Sequence, residues 1–222
     1  MSQEQWNAVD SYITEEIIPA DPALDAALAA IVAAGLPPIG VSATQGRLLH
    51  VLAQLVGARR ILELGTLGGY STICMARALP PDGKLITLEA DEKHAKVARG
   101  NFARAGVEGV VDLRLGKALD TLPKLAAEGQ KRFDFVFIDA DKENIPEYFT
   151  WSLKLSRPGT AIVIDNVVRK GELANASSTD PDILGVRRLH EMLRGEKRVT
   201  AVTMQTVGCK GYDGFTLARV NS

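Results

Sequence analysis

The chain has 222 residues, 46% hydrophobic and 24% charged, and its 26 Lys and Arg against 27 Asp and Glu give a formal net charge of -1. This composition is typical of globular proteins and excludes disordered, collagen-like and fibrous classes. The balanced charge provides no general attraction to nucleic acid or to an anionic membrane. We therefore expect no nucleic-acid or membrane partner.

The cysteine content, the first residues and the longest uncharged stretch narrow the class of protein and its expected location. Cys74 and Cys209 are too few for a disulfide framework and lack the paired Cys/His spacing of a zinc site. The first residues lack the basic start and apolar stretch of a secretory signal. The longest uncharged stretch, 26–44, contains glycine and prolines, which disfavours a membrane span. We predict a cytoplasmic protein.

The beginning of the chain is predicted to be helical. Trp6, Val9, Ile13 and Ile17 recur at spacings of three and four, which is typical of one helix face. An alanine-rich run at 23–34 and a third apolar pattern at 43–56 predict two more helices. We expect N-terminal helices over 1–57 and an α/β core over 58–222, within a single domain spanning 1–222, because no linker or repeat separates them.

Short apolar runs and helical patterns alternate after Arg59. Strands are predicted at 60–64, 84–88, 110–115, 133–138 and 160–164, with helices at 71–79, between Asp91 and Gly106, and at 183–193. This alternation favours an α/β fold with a doubly wound, Rossmann-like, mostly parallel sheet. Runs at 199–207 and 214–220 are too close for a crossover helix, so they predict an antiparallel hairpin and one reversed strand near the C-terminus.

A glycine-rich turn follows the first predicted strand. Its glycines allow a tight turn and a close approach to a ligand, but Leu67 stands where the dinucleotide fingerprint requires glycine. Glu89, 24 positions after Gly65, ends the second strand, where a carboxylate can bind both ribose hydroxyls. Together they favour an adenosine-containing ligand; separately they fit a ligand-free turn and a solvated carboxylate.

Polar side chains follow two later strands. Asp139, Asp141 and Lys142 come after 133–138, and Asp165 and Asn166 come after 160–164. Carboxylate and amide oxygens are ligands that suit Mg²⁺. For Asp139 or Asp165 taken alone, a turn or helix cap is the favoured interpretation.

Four motifs in combination resemble the class I S-adenosylmethionine-dependent O-methyltransferases, specifically the cation-dependent catechol and caffeoyl-CoA O-methyltransferase-like family and its bacterial members. They are LELGTLGGYS at 62–71, TLE at 87–89, FIDADK at 137–142 and VIDN at 163–166. The resemblance covers nearly the whole chain. It implies methyl transfer to a vicinal dihydroxy aromatic of the catechol, hydroxycinnamate or flavonoid type, and a homodimer.

The resemblance also implies roles for individual residues. S-adenosylmethionine is expected to contact Val41, Glu63, Gly65, Thr66, Leu67, Tyr70, Ser71, Glu89, Ala90, Ala118, Asp139 and Asp141. A divalent cation, expected to be Mg²⁺, is assigned to Asp139, Asp165 and Asn166, and catalysis to Lys142 and Asp139. Residues 167–181 and 208–214 are expected to border the acceptor, with Arg169 and Lys170 either solvated or facing an acidic acceptor.

These roles form a coherent mechanism. A phenol with a pKa of about 10 is a poor nucleophile at neutral pH, and a chelating cation lowers that pKa and orients the attacking oxygen. Lys142 is then expected to accept the phenolic proton. Two alternatives stay open: a non-catalytic S-adenosylmethionine-binding protein, and an NAD-dependent oxidoreductase, which the missing fingerprint and reversed strand disfavour.

Overall fold

The computed structural model describes residues 2–129 and 132–221. In its N-terminal part, three helices begin at residues whose side chains cap them. The first three helices are α1 (Gln3–Ile17), α2 (Pro22–Ala33) and α3 (Ala43–Leu55). Ser2, Asp21 and Ser42 accept hydrogen bonds from backbone N–H groups of the first turns, and Ser42 forms a reciprocal capping box with Gln45. Because caps satisfy otherwise unpaired N–H groups, they fix where each helix begins.

Seven strands form one sheet in the order β3-β2-β1-β4-β5-β7-β6. They are β1 (Arg60–Leu64), β2 (Lys84–Glu89), β3 (Val111–Leu115), β4 (Phe133–Ile138), β5 (Ser156–Asp165), β6 (Val199–Gly208) and β7 (Gly211–Val220). β7 runs antiparallel to both β5 and β6, whereas the other neighbouring pairs are parallel. The predicted mostly parallel sheet with one reversed C-terminal strand is confirmed.

The hairpin is tighter than the sequence pattern suggested. The predicted connection 208–213 shrinks to a turn at Cys209 and Lys210, because residues on both sides continue the ladder from Gly208↔Gly211 to Val199↔Val220. The reversed strand β7 is inserted between β5 and β6, so β6 is the edge strand.

Five helices and one short 3-10 segment connect the strands. They are α4 (Tyr70–Ala76), α5 (Glu92–Ala105), α6 (Ala118–Ala127), α7 (Ile145–Leu155), the 3-10 segment Arg169–Ala174 and α8 (Pro181–Gly195). In the described part of the chain, no helix is both long and apolar enough to cross a membrane.

Two hydrophobic clusters lie on opposite faces of the sheet. Alternate strand residues such as Leu62 and Ile138 pack with α6, α7 and α8, and their neighbours such as Ile61 and Phe137 pack with α2 to α5. This division follows from the two-residue period of a strand. Both faces are therefore covered, and ligands can approach the sheet at its edges.

The register brings three strand ends side by side. Leu64 on β1 is opposite Ile138 on β4, and Ile138 is opposite Ile164 on β5. The residues that follow, Gly65, Asp139 and Asp165, consequently lie together at the carboxyl edge. This edge is where open α/β sheets bind ligands.

Candidate active site at the carboxyl edge of the sheet

The glycine-rich turn lies against the end of β4. Gly65 has a φ of 94°, and a Cβ there would be 2.2 Å from the carbonyl oxygen of Asp139. Gly69 has a φ of 83°, and its Cβ would be 2.4 Å from the Phe102 ring. Both positions require glycine for conformation and for space. The turn therefore presents bare backbone at the edge where Asp139 emerges.

Glu89 fixes this turn to the end of β2. Its Oε2 accepts hydrogen bonds from the backbone N–H groups of Thr66 at 3.1 Å and Leu67 at 2.8 Å. Its Oε1 accepts from the Asp91 N–H at 2.9 Å, and His94 Nδ1 is 3.5 Å from the same oxygen. The carboxylate thus lies beside the turn, where a ribose-binding acid is expected.

Glu63 is wholly buried beneath the turn. Its carboxyl accepts hydrogen bonds from Ser71 Oγ at 2.6 Å, from Thr87 Oγ1 at 2.7 Å and from the Thr72 hydroxyl. Burial, only partly offset by these hydroxyls, raises the pKa of Glu63 to about 7. The side chains of Glu63 and Ser71 therefore contact each other and join β1 to the start of α4.

The other residues expected at the cofactor surround this turn. Tyr70 begins α4 and is buried, and burial raises its pKa to about 12. Ala90 follows β2, and Ala118 begins α6 after β3. Val41, just before α3, lines a small cavity of about 20 Å³ together with Asp165. The start of α3 thus approaches the strand ends.

Two carboxylates, Asp139 and Asp165, meet at the ends of β4 and β5. Asp165 is 5% exposed, and burial, followed by the charge of Asp139 nearby, raises its pKa to about 7. Asp165 Oδ1 accepts a hydrogen bond from the Asn166 N–H at 2.9 Å. The three residues assigned to a cation are thus adjacent in the fold, and two of them are acids that oppose each other's ionisation.

The side chain of Lys142 also lies at the end of β4, beside Asp139. Its Nζ is 2.8 Å from Asp139 Oδ1, and only 7% of the side chain is exposed. Burying an ammonium group is costly unless it is paired. The Asp139–Lys142 pair therefore places a proton-carrying amine at the candidate site.

Asp141 points into a separate set of contacts. Its carboxylate accepts hydrogen bonds from the Tyr148 hydroxyl and the Asn144 amide. The sequence pattern did not identify either partner, because the intervening turn that joins them to Asp141 has no distinctive spacing.

Asp213, in the predicted acceptor-bordering segment 208–214, also approaches Asp165, and its charge contributes to the raised pKa of Asp165. Arg169 is 2.9 Å from Asp182 on α8, so its charge is paired within the fold. Lys170 is exposed.

A divalent cation fits the Asp139, Asp165 and Asn166 set by its chemistry. Within 2–129 and 132–221, no three His, Cys, Asp or Glu side chains converge as a metal cluster, and this set has two carboxylates and one amide. A cation would relieve the repulsion between the buried carboxylate of Asp165 and the partly exposed one of Asp139, and oxygen donors of this kind suit Mg²⁺. The edge can therefore combine a nucleoside-binding turn, a cation and an amine.

Comparisons with known proteins identify the family of this chain. A family model described as O-methyltransferase matches residues 20–221. The chain is 52% identical to a catechol O-methyltransferase of Niastella koreensis over 220 residues, covering 99% of this chain and all of that protein.

Solved structures give the same result. An O-methyltransferase from Bacillus cereus in complex with SAH superposes with a TM-score of 0.98 at 53% identity, covering 99% of this chain and 100% of that one. The O-methyltransferase TomG from Streptomyces achromogenes, involved in tomaymycin synthesis and in complex with SAM, gives 0.97 at 54% identity, with both chains fully covered.

Proposed function

Given that this chain belongs to the O-methyltransferase family, we propose that it transfers the methyl group of S-adenosylmethionine to one hydroxyl of a vicinal dihydroxy aromatic compound. The observation that carries the proposal is the buried Lys142, paired with Asp139 beside Asp165. A protein that only bound the nucleoside would have no use for a buried amine next to two carboxylates. The relative named catechol O-methyltransferase supports this acceptor class.

The cofactor is assigned to the glycine-rich turn and its neighbours. Gly65, Thr66 and Leu67 would face the methionine part, with Tyr70, Val41 and Asp141 around it. Glu89 would bind the ribose, and Ala90 and Ala118 would border the adenine. Glu63 and Ser71 are assigned to the same site, beneath the turn. The hydrogen bond between their side chains supports this assignment.

The cation is assigned to Asp139, Asp165 and Asn166, and Mg²⁺ is the ion that this donor set favours. When bound, such a cation lowers the pKa of a chelated phenol and orients its oxygen. The raised pKa of Asp165 supports the assignment, because the buried Asp165 and the partly exposed Asp139, at neighbouring strand ends, would both be stabilised by a shared positive charge.

Lys142 is assigned the role of removing the proton from the acceptor hydroxyl. Lys142 Nζ, 2.8 Å from Asp139 Oδ1, would act as the general base: as a neutral amine it takes the proton of the acceptor hydroxyl and becomes the ammonium. The acceptor oxygen forms a new bond to the methyl carbon as the carbon–sulfur bond breaks. The electrons of the broken bond stay on sulfur, which leaves S-adenosylhomocysteine.

The first test is S-adenosylhomocysteine release from S-adenosylmethionine with a panel of catechols and matched monophenols, in Mg²⁺ or in EDTA. The proposal predicts product only with vicinal diols and only with the cation. Equal turnover of monophenols, or turnover in EDTA, would contradict chelation. Cofactor binding without turnover of any vicinal diol would favour a binding protein.

We also propose that the protein forms a homodimer and is located in the cytoplasm. Val202, Met204 and Val207 on the edge strand β6 are each about half exposed, and exposed apolar side chains on an edge strand favour coverage by another surface. Light scattering after size exclusion should give twice the chain mass of 23.8 kDa.

A further inference from the structure

An unusual backbone conformation follows β5 at the candidate cation site. Asn166, Arg169 and Lys170 have φ angles of 56°, 54° and 56°. Among described residues, three of the four non-glycine positions with positive φ thus lie between 166 and 170. Left-handed backbone is unfavourable for arginine and lysine, so contacts from elsewhere must hold this segment in place.

Asp213 on β7 provides those contacts. Its Oδ1 accepts hydrogen bonds from the backbone N–H groups of Val168 at 3.0 Å and Arg169 at 2.9 Å. The same oxygen accepts from the Gly214 N–H at 2.9 Å. Hydrogen bonds to an ionised acceptor are stronger than those to a neutral one, so one carboxylate holds both chain segments together.

The close approach of β7 depends on residue 214. A Cβ at Gly214 would lie 2.6 Å from Val168 Cγ2 and 2.2 Å from the Met204 carbonyl oxygen. With glycine there, the Gly214 carbonyl accepts a hydrogen bond from the Val167 N–H at 3.0 Å. The reversed strand thus reaches the residues that come directly after Asn166.

The contact on the other side of the segment is weaker. Arg169 pairs with Asp182 on α8 at 2.9 Å, but their side chains are 32% and 36% exposed. Ion pairs at such exposure contribute little. Asp213 is therefore the stronger of these two contacts.

We propose that Asp213 is a positioning residue that fixes Asn166 and the acceptor-bordering backbone through its hydrogen bonds to residues 168 and 169. Asn166 lies between β5 and this anchor, so both of its neighbours are held, and its backbone N–H donates to Asp165 Oδ1 at 2.9 Å. Without Asp213, residues 169 and 170 can relax toward ordinary backbone angles and carry Asn166 with them. The inference rests on the proposed function, in which Asn166 is a cation ligand.

The test compares Asp213→Ala and Asp213→Asn with the control Asp10→Ala. Asp10 accepts the Cys209 N–H at 2.7 Å, so the control removes a carboxylate–backbone bond from the turn of the same hairpin without touching residues 166–174. Two measurements are made on full-length protein with S-adenosylhomocysteine bound. They are hydrogen–deuterium exchange over 166–174 and Mn²⁺ affinity by electron paramagnetic resonance.

Asp213→Ala should accelerate exchange over this segment and weaken Mn²⁺ binding, each by about tenfold, because bonds to a charged acceptor are lost. Asp213→Asn keeps an acceptor oxygen and should fall between Asp213→Ala and the native chain. Asp10→Ala should stay within about twofold on both measurements. A cooperative thermal transition and retained S-adenosylhomocysteine binding show that each variant is folded.

Two results would overturn the inference. The first is that Asp213→Ala does not differ from Asp10→Ala in either measurement. The second is that exchange increases while Mn²⁺ affinity stays native, which would mean that the anchor does not act on Asn166. Failure of the proposed function is read separately, from the native chain: if it binds no Mn²⁺, the cation site itself is refuted, and the role of Asp213 with it.

Discussion

Replacing Glu63 with glutamine should change how stability depends on pH. Glu63 is wholly buried, and burial raises the pKa of its carboxyl from an ordinary 4.5 to about 7. Between these values the unfolded chain has lost the proton and the folded chain still holds it. The contribution of Glu63 to stability is therefore complete below pH 4.5 and is lost as pH rises through about 7.

The size of the effect follows from the same two values. At about 1.4 kcal/mol for each pH unit, the native chain should lose roughly 3 kcal/mol from this group between pH 4.5 and pH 8.5. Glutamine does not ionise, so Glu63→Gln should lack this loss. Its amide faces hydroxyls that now donate to the carboxyl, which should cost about 1 kcal/mol. The variant should have nearly the native stability at pH 5, where the native chain has already lost about 0.7 kcal/mol, and should be the more stable protein by about 2 kcal/mol at pH 8.5.

The assay is urea unfolding at both pH values, in EDTA and without cofactor. Glu196→Gln is the matched control, because Arg198 lowers the pKa of Glu196 to about 2 and any stability it contributes is lost only as pH falls below its ordinary range. The free energy of unfolding of that control should change with pH in the same way as that of the native chain between pH 5 and pH 8.5. If the free energy of unfolding of Glu63→Gln had the same pH dependence as that of the native chain, the reasoning would be refuted.

Three further predictions concern the site. Asp139→Ala should abolish turnover while S-adenosylmethionine binding by calorimetry largely survives; equal loss of both would contradict a separate cation role. Lys142→Met should lower kcat by about a hundredfold, whereas Lys154→Met, which removes an exposed lysine from α7, should match the native rate; similar rates for the two variants would remove Lys142 from the mechanism. Gly65→Ala would place a Cβ 2.2 Å from the Asp139 carbonyl oxygen, so S-adenosylhomocysteine affinity should fall by at least about tenfold, and native affinity by calorimetry would show that the turn can move.

Local patterns were sufficient to predict most of the elements in the described residues, although no helix was predicted over Ala118–Ala127 or Ile145–Leu155. Ser42 and Gln45 form a capping box three residues apart, a spacing that is visible without tertiary contacts. The strands β1, β2 and β4 are buried almost throughout, so they stand out as short apolar runs. The short connection after β6 likewise required an antiparallel partner. Its exact length was not predicted, because the ladder continues through residues 211–213, whose side chains carry no strand signal.

The sequence by itself determined the mostly parallel sheet, the glycine-rich turn and the acids at the strand ends, because strand period, cap spacing and glycine conformation act within a few residues of each other. Only the tertiary structure decided that Glu63 supports the turn from beneath, that Lys142 pairs with Asp139, and that Asp213 holds the segment after Asn166. The pairing of Asp213 depends on distance between segments 44 or more residues apart, and the raised pKa of Glu63 depends on burial. Packing of the whole sheet sets both quantities, and no local pattern encodes them.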